Sequence, residues 1–267
     1  MCEKPDTSTD RWNAELYAAN SAHHRAQDAA FLGSFSLQPS AIVLDLGSGT
    51  GEFTNKLAAC VPEGLVLGID GSASQVEFAC RSKANNVDHE LGRLEDLDVV
   101  LGERCFDAVV SRATLHWVAG VDHPALLHSI RSHLRPGGLL RVEFAGHGQM
   151  ANLIALLDDV ATNLGGKTAQ IYTPMVEEYR TRLLDAGFEL ARGFVRYAFQ
   201  KRSVPGYDAL LGLMRSQPYV AYEHYLPVGQ RQKFREVAEQ RAFNELRRGD
   251  GTYDQDFVRM DVLAFVP

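Results

Sequence analysis

The 267-residue sequence contains no apolar run approaching the roughly 18 residues that cross a bilayer as a helix. Its polar, acidic start, MCEKPDTSTDRW, has the layout of neither a secretory signal nor a transit peptide, so a cytoplasmic location is expected. No run of lysine or arginine exceeds two residues, and the net charge is -7, which counts against a nucleic-acid partner. Cysteine is scarce. Cys2, Cys60, Cys80 and Cys105 lie far apart and form no CxxC pair, so neither a disulfide framework nor a thiolate metal site is indicated. Cys60, Cys80 and Cys105 sit beside apolar residues and are expected to be small buried hydrophobes. There is no HExxH, and the adjacent His23 and His24 face different sides of a helix, so no metal site is expected. Internal repeats and low-complexity stretches are also lacking.

What is present is a 45% hydrophobic chain, suited to one large α/β domain over 1–267. From Thr9 to Leu32 the alanine-rich text predicts one or two helices, an N-terminal cap over 9–33. Buried strands are expected at AIVLDLG (41–47), LVLGID (65–70), VDHELGRL, FDAVVSRA (106–113) and LLRVEFAG (139–146). Helices alternate with them: GEFTNKLAAC, SASQVEFACRSK (72–83) with a serine cap, and HPALLHSIRSHL (123–134) stopped by RPGG. That alternation over 41–146 means βαβ units and a doubly wound, mostly parallel sheet. The second half adds a helix around MANLIALLDDVATNLGG and a helix, glycine and long strand in PMVEEYRTRLLDAGFELARGFVRYAFQ. A helical insertion over 201–250, rich in aromatics, precedes a last strand at 256–266.

The stretch VLDLGSGTGEF puts three glycines in five positions between a strand and a helix. Bare backbone can turn sharply there and touch a ligand, and the following helix offers free N–H groups. The spacing is GxGxG rather than the dinucleotide GxGxxG, and Glu52 stands where that pattern has its third glycine. A carboxylate there suits a pyrophosphate poorly. Together with Asp45, it favours a ligand carrying a sulfonium or ammonium. Asp70 ends the second strand, placed to accept hydrogen bonds from ribose hydroxyls. The plainer reading of Asp70 is a turn residue before Gly71 and Ser72.

Four motifs in order now support a resemblance. VLDLGSGTGEFT, VLGIDGSASQVEFA, FDAVVSRATLHWV and LRPGGLLRVEF resemble the motifs of the class I S-adenosylmethionine-dependent methyltransferases. The resemblance implies a Rossmann-like seven-stranded sheet with an antiparallel last strand, S-adenosyl-L-methionine as cofactor, and these roles. The Gly47 region holds the methionine amino group, supported by Asp45. Ser48, Gly49 and Gly51 complete the loop, Asp70 holds the ribose, and Gly71 and Ser72 lie near the adenine. Arg93 replaces the family's adenine-contacting acid, so the adenine falls to the Leu94 backbone, Glu95 or Asp96. Arg112, ending the fourth strand, counts among the cofactor contacts.

The N-terminal text RWNAELYAANSAHHRAQD and the late insertion resemble the trans-aconitate and juvenile-hormone-acid carboxyl O-methyltransferases. That resemblance implies a small carboxylic acid as acceptor, clamped by Gln27 and Trp117. A carboxylate is anionic at neutral pH and needs no base; a hydroxyl or amine acceptor would, and His116 is the candidate. Tyr17 and Arg25 are candidates to close over the methionine moiety, with Arg25 on its carboxylate. Packed or solvated positions are the blander readings of Trp117, Gln27, His116 and Arg25. Tyr207, Tyr219, Tyr222, Tyr225 and Met214 either line an acceptor pocket or pack the insertion onto the sheet edge.

Overall fold

The computed structural model describes residues 10–267, the side chains at 23 and 24 aside. The first nine residues, with Cys2 and Thr9, and the facing of His23 and His24 lie outside the described residues. Two short helices come first, α1 (Ala14–Asn20) and α2 (Ala22–Leu32). Asn13 caps α1 by accepting the Leu16 N–H at 2.9 Å. The alternating core follows: β1 (Ile42–Leu46), α3 (Glu52–Cys60), β2 (Leu65–Asp70), α4 (Ala73–Cys80), β3 (Val87–Leu91), α5 (Leu97–Leu101), β4 (Phe106–Arg112), α6 (His123–Ser132) and β5 (Leu134–Ala145). Then come α7 (Ala151–Asn163), α8 (Val176–Asp185), β6 (Glu189–Arg202), α9 (Tyr207–Ser216), α10 (Arg231–Glu245) and β7 (Gln255–Phe265). No helix among the described residues is long and apolar enough to cross a membrane.

The seven strands form one sheet in the order β3-β2-β1-β4-β5-β7-β6. β7 runs antiparallel to both β5 and β6, and the pairings among β1 to β5 are parallel. Side chains alternate across a strand, so β1 feeds two cores. Leu44 and Leu46 pack with α5, α6 and α8 on one face, while Val43 packs with Phe31 of α2 and Leu57 of α3 on the other. A third apolar cluster joins α7, α9, α10 and Phe257 of β7 into a cap. Tyr219, Tyr222 and Met214 are buried inside that cap, so these three pack it. Tyr222 donates to Asp158 of α7 at 2.8 Å, which fastens the insertion to the earlier helix.

Two expectations need correction. Cys60, Cys80 and Cys105 are exposed, not buried. Cys60 and Cys80 are the last residues of α3 and α4, and Cys105 lies in the turn before β4. Apolar neighbours in sequence therefore said nothing about facing. The RPGG stretch also does not stand outside the sheet. β5 begins at Leu134, which pairs with Phe106, and a bulge absorbs the glycines before Ala108 pairs with Leu139.

The outer half of the sheet is held by a buried charge cluster. Asp261 of β7 accepts from Arg196 at 2.9 Å. Arg141 lies 2.7 Å from its other oxygen, with its N–H groups aimed at the Val142 and Val262 carbonyls and at Ser34. Asp261→Ala would leave Arg141, only 3% exposed, without its neutralising charge. We expect a loss of about 3–5 kcal/mol in urea unfolding, and a loss below about 1 kcal/mol would contradict this placement.

Candidate active site

The chain leaves β1 for β2 on one side and returns to β4 on the other, so a crevice opens where the strand order reverses. The glycine loop sits at its lip. Gly47 has φ +73°, and a Cβ there would lie 2.1 Å from the Thr114 side chain. Gly51 has φ +75°, and a Cβ would meet Ala79 and His89 at 2.9 Å. Glycine is thus demanded twice over, by backbone conformation and by space. Ala113, facing the loop from the end of β4, is held at φ 54°, a conformation that costs an alanine about 1 kcal/mol or more.

Asp70 fixes the loop. Its Oδ2 accepts the Gly49 N–H and its Oδ1 the Ser72 N–H, both at 2.8 Å. One carboxylate thereby spans the first and second strand–helix turns. Ser72 caps α4 by accepting the Gln75 N–H at 3.2 Å. Its hydroxyl donates to Asp10, which also accepts the Ser74 N–H at 2.7 Å and so draws the N-terminal segment onto this edge. Asp45 lies beneath the loop, 1% exposed, with the Thr54 hydroxyl donating to it at 2.7 Å.

Burial pushes the Asp45 carboxyl up to about 7 and the Asp70 carboxyl up to about 6. Backbone hydrogen bonds from Ser72 and Gly49 restrain the rise at Asp70. Two carboxyls held this close to neutral pH gain most from a ligand that brings positive charge.

A cleft, open at its mouth, joins the loop to the N-terminal helices. It brings together Tyr17, Arg25, Asp45, Gly47, Ser48, Gly49 and Arg112. Gly51 ends the loop, Asp70 holds it from the end of β2, and Gly71 and Ser72 follow Asp70 in the chain. Arg25 reaches Glu52 at 3.2 Å across the mouth and also donates to Ser21 and the Ala18 carbonyl. A carboxylate ligand would have to share this guanidinium with Glu52.

The same cleft includes Asp28, a residue the sequence reading passed over. Asp28 is buried and paired with both Arg112 and Lys56, the latter at 2.6 Å. Arg112 also meets Glu143 of β5 at 3.4 Å and stacks on Phe31 and Phe53. This network pins α2 to the ends of β4 and β5. An acid three residues after Arg25, on the face that also carries Ser21, was the available signal.

Other predicted residues do not line the cleft. Gln27 is half-buried on α2, off the face carrying Ser21, Arg25 and Asp28. Leu94 is buried at the start of a short 3₁₀ turn, and Glu95 is exposed and paired with Arg93 at 2.9 Å. His116 and Trp117 form the next 3₁₀ turn after β4. Trp117 stands edge-on to Trp12 at 5.1 Å and packs against the cap. His116 Nδ1 accepts the Ala145 N–H at 3.5 Å. Burial, with Arg259 and His123 nearby, pushes its pKa down to about 3.

Sheet order, glycine cradle and strand-end acid define a class. Residues 43–138 match the family described as a methyltransferase domain. Among curated proteins the chain is similar to trans-aconitate 2-methyltransferase of Deinococcus radiodurans, 37% identical over 166 residues, 59% of each chain. It is also similar to the protein of that name from Methylobacterium radiotolerans, 31% identical over 132 residues, 49% of this chain and 48% of that one. The chain spans less than two thirds of the length of these relatives. Among solved structures, Haemonchus contortus phosphoethanolamine N-methyltransferase 2 in complex with S-adenosyl-L-methionine aligns with a TM-score of 0.59 at 17% identity, over 95% of this chain and 56% of that one. Human N-acetylserotonin methyltransferase in complex with the same compound gives 0.52 at 20%, over 69% and 51%. At such identities the likeness concerns the fold.

The residues fit that cofactor: bare backbone for close approach, a buried acid, Asp45, suited to a cation, and a half-buried one, Asp70, suited to hydroxyl groups. A pH dependence follows. Both folded pKa values exceed the ordinary 3.8, so these two groups contribute stability that is complete below about pH 3.8 and lost as pH rises through 6 and 7. A cationic ligand needs them ionised. S-adenosylmethionine affinity should therefore rise about tenfold or more between about pH 5.5 and 7.5, with proton release on binding. Calorimetry in two buffers checks this; flat affinity with no proton release would contradict it.

Proposed function

We propose that the protein transfers a methyl group from S-adenosylmethionine to a carboxylate of a small molecule. The state of His116 carries the preference for a carboxylate. Its Nδ1 lone pair faces the Ala145 N–H, and its pKa is held near 3. A base that weak removes a proton from a hydroxyl or ammonium poorly, whereas a carboxylate acceptor requires no base. The similarity to proteins named trans-aconitate 2-methyltransferase supports the same reading.

The bound cofactor supplies a methyl on a sulfonium, and transfer is an in-line displacement whose rate comes chiefly from alignment. The chain's part is positioning. In this reading the Gly47–Gly51 loop and Asp70 hold the nucleoside end, Asp45 faces the cationic end, and Arg112 and Asp28 keep the α2 wall in place. Trp117, between core and cap, offers a flat wall and an indole N–H to the acceptor. Gln27 would join that clamp only from outside the cleft.

Incubation with methyl-labelled cofactor and trans-aconitate, set against simple phenols and amines, tests the reading. Label should enter the acid as a base-labile ester. His116→Asn should keep acid turnover within about tenfold of the parent, the loss being well short of the 10²–10⁴ a general base contributes. Label entering only a phenol or amine, and lost in that variant, would overturn the carboxylate reading. Cofactor binding without label in any acceptor would favour a non-catalytic binding protein.

A further inference from the structure

Arg259 is the feature the described function leaves unused. Opposite residues of paired strands share a face, so Arg259 stands with Ala145, and two places along with Glu143 and Asp261. This is the face that Arg112 shares through its register with Glu143. On it, Asp261 answers Arg141 and Arg196, Glu143 answers Arg112, and Asp28 answers Arg112 and Lys56. Among the described residues, Arg259 has no acid within ion-pair distance, and its Nε, buried, has no hydrogen-bond partner. It is 4% exposed. Its one described contact through the guanidinium is the Phe257 ring at 4.9 Å, which Arg202 also approaches at 5.5 Å. A buried cation whose nearest acid, Glu143, already pairs with Arg112 is costly, and an anionic ligand group would relieve that cost.

Its location says which ligand. Because β7 is antiparallel, Arg259 lies opposite the last residue of β5, at the carboxyl edge where the crevice opens. Tyr17 of the cleft and His116 are within electrostatic reach on the core side, and Phe257 belongs to the cap. Arg202, Arg112 and Glu143 are the other charges facing it. The guanidinium thus stands where core and cap meet, next to the turn carrying Trp117. We propose that Arg259 is the specificity-determining residue of the acceptor site, supplying the counter-charge for an anionic group of the acceptor. The planar fork pairs bidentately with a carboxylate. This deepens the methyltransferase reading and rests on it only for the identity of the anion.

Arg259→Met and Arg259→Lys test it, read by melting temperature, S-adenosylhomocysteine calorimetry and the KM for trans-aconitate. If the guanidinium is kept for a ligand, Arg259→Met should melt several degrees above the parent, because an unpaired buried charge is gone. It should bind S-adenosylhomocysteine within about threefold of the parent. Its KM for trans-aconitate should rise about 100-fold or more, with Arg259→Lys intermediate. An unchanged KM in Arg259→Met would overturn the proposal, as would a melting temperature lowered together with weakened cofactor binding, which marks a structural role. Inorganic phosphate is the second probe. If the parent methylates no acid but phosphate raises its melting temperature, and Arg259→Met abolishes that rise, the carboxylate reading fails and the anion site stands. If neither trans-aconitate nor phosphate stabilises the parent, the anion site falls.

Discussion

The carboxylate of Asp70 is the constraint on which the site depends. With two short hydrogen bonds it ties the glycine loop after β1 to the turn before α4. The loop needs such a tie. Gly47, Gly49 and Gly51 all take positive φ; Gly47 and Ser48 donate to the Ile69 carbonyl and Gly51 to that of Ser48, while the Gly49 N–H is left to Asp70, and Thr114 and His89 press on the loop from two sides. A strand-end acid supplies an ionic acceptor at the point where backbone donors would otherwise face only a ligand or water. Its raised pKa is the cost of that burial, and it couples the order of the loop to the charge of what binds there.

Around this tie the molecule is arranged as a wall facing a ledge. The ledge is the parallel core. The wall is α1 and α2, pinned through Asp28 to Arg112 and Lys56 and drawn down at its start by Asp10. The cap of α7, α9 and α10 closes the third side over Trp117. The proposed methyl transfer asks chiefly for alignment, and a cleft built from three separately anchored elements would supply it without a proton-transfer relay. The depressed His116 pKa is consistent with that economy.

Much of this was legible in the sequence. Strand–helix alternation over 41–146 carries the parallel sheet, and GSGTG between a strand and a helix carries the loop, because period and glycine placement are local signals. Legibility ended where the determinants are non-local. The cysteines were misplaced because apolar neighbours do not reveal which side of a helix end faces water. Asp28 looked like one more polar residue on an alanine-rich helix until the fold brought Arg112, 84 positions on, against it. Arg259 is one of several arginines in the chain. Only the sheet register, which assigns the nearby acids to other cations, shows it to be unlike them. The Gln27 assignment came from resemblance, and the helical phase of α2 turns that side chain away from the cleft.

The central claim is that Asp70 organises the loop that grips S-adenosylmethionine. Asp70→Asn keeps size and shape but can accept from only one of the two N–H groups while presenting a donor to the other. Titration calorimetry on this variant, with its fold verified by circular dichroism, should show S-adenosylmethionine bound about 100-fold more weakly than by the parent, a difference of about 2.7 kcal/mol. Unchanged affinity in a folded Asp70→Asn protein would contradict the account.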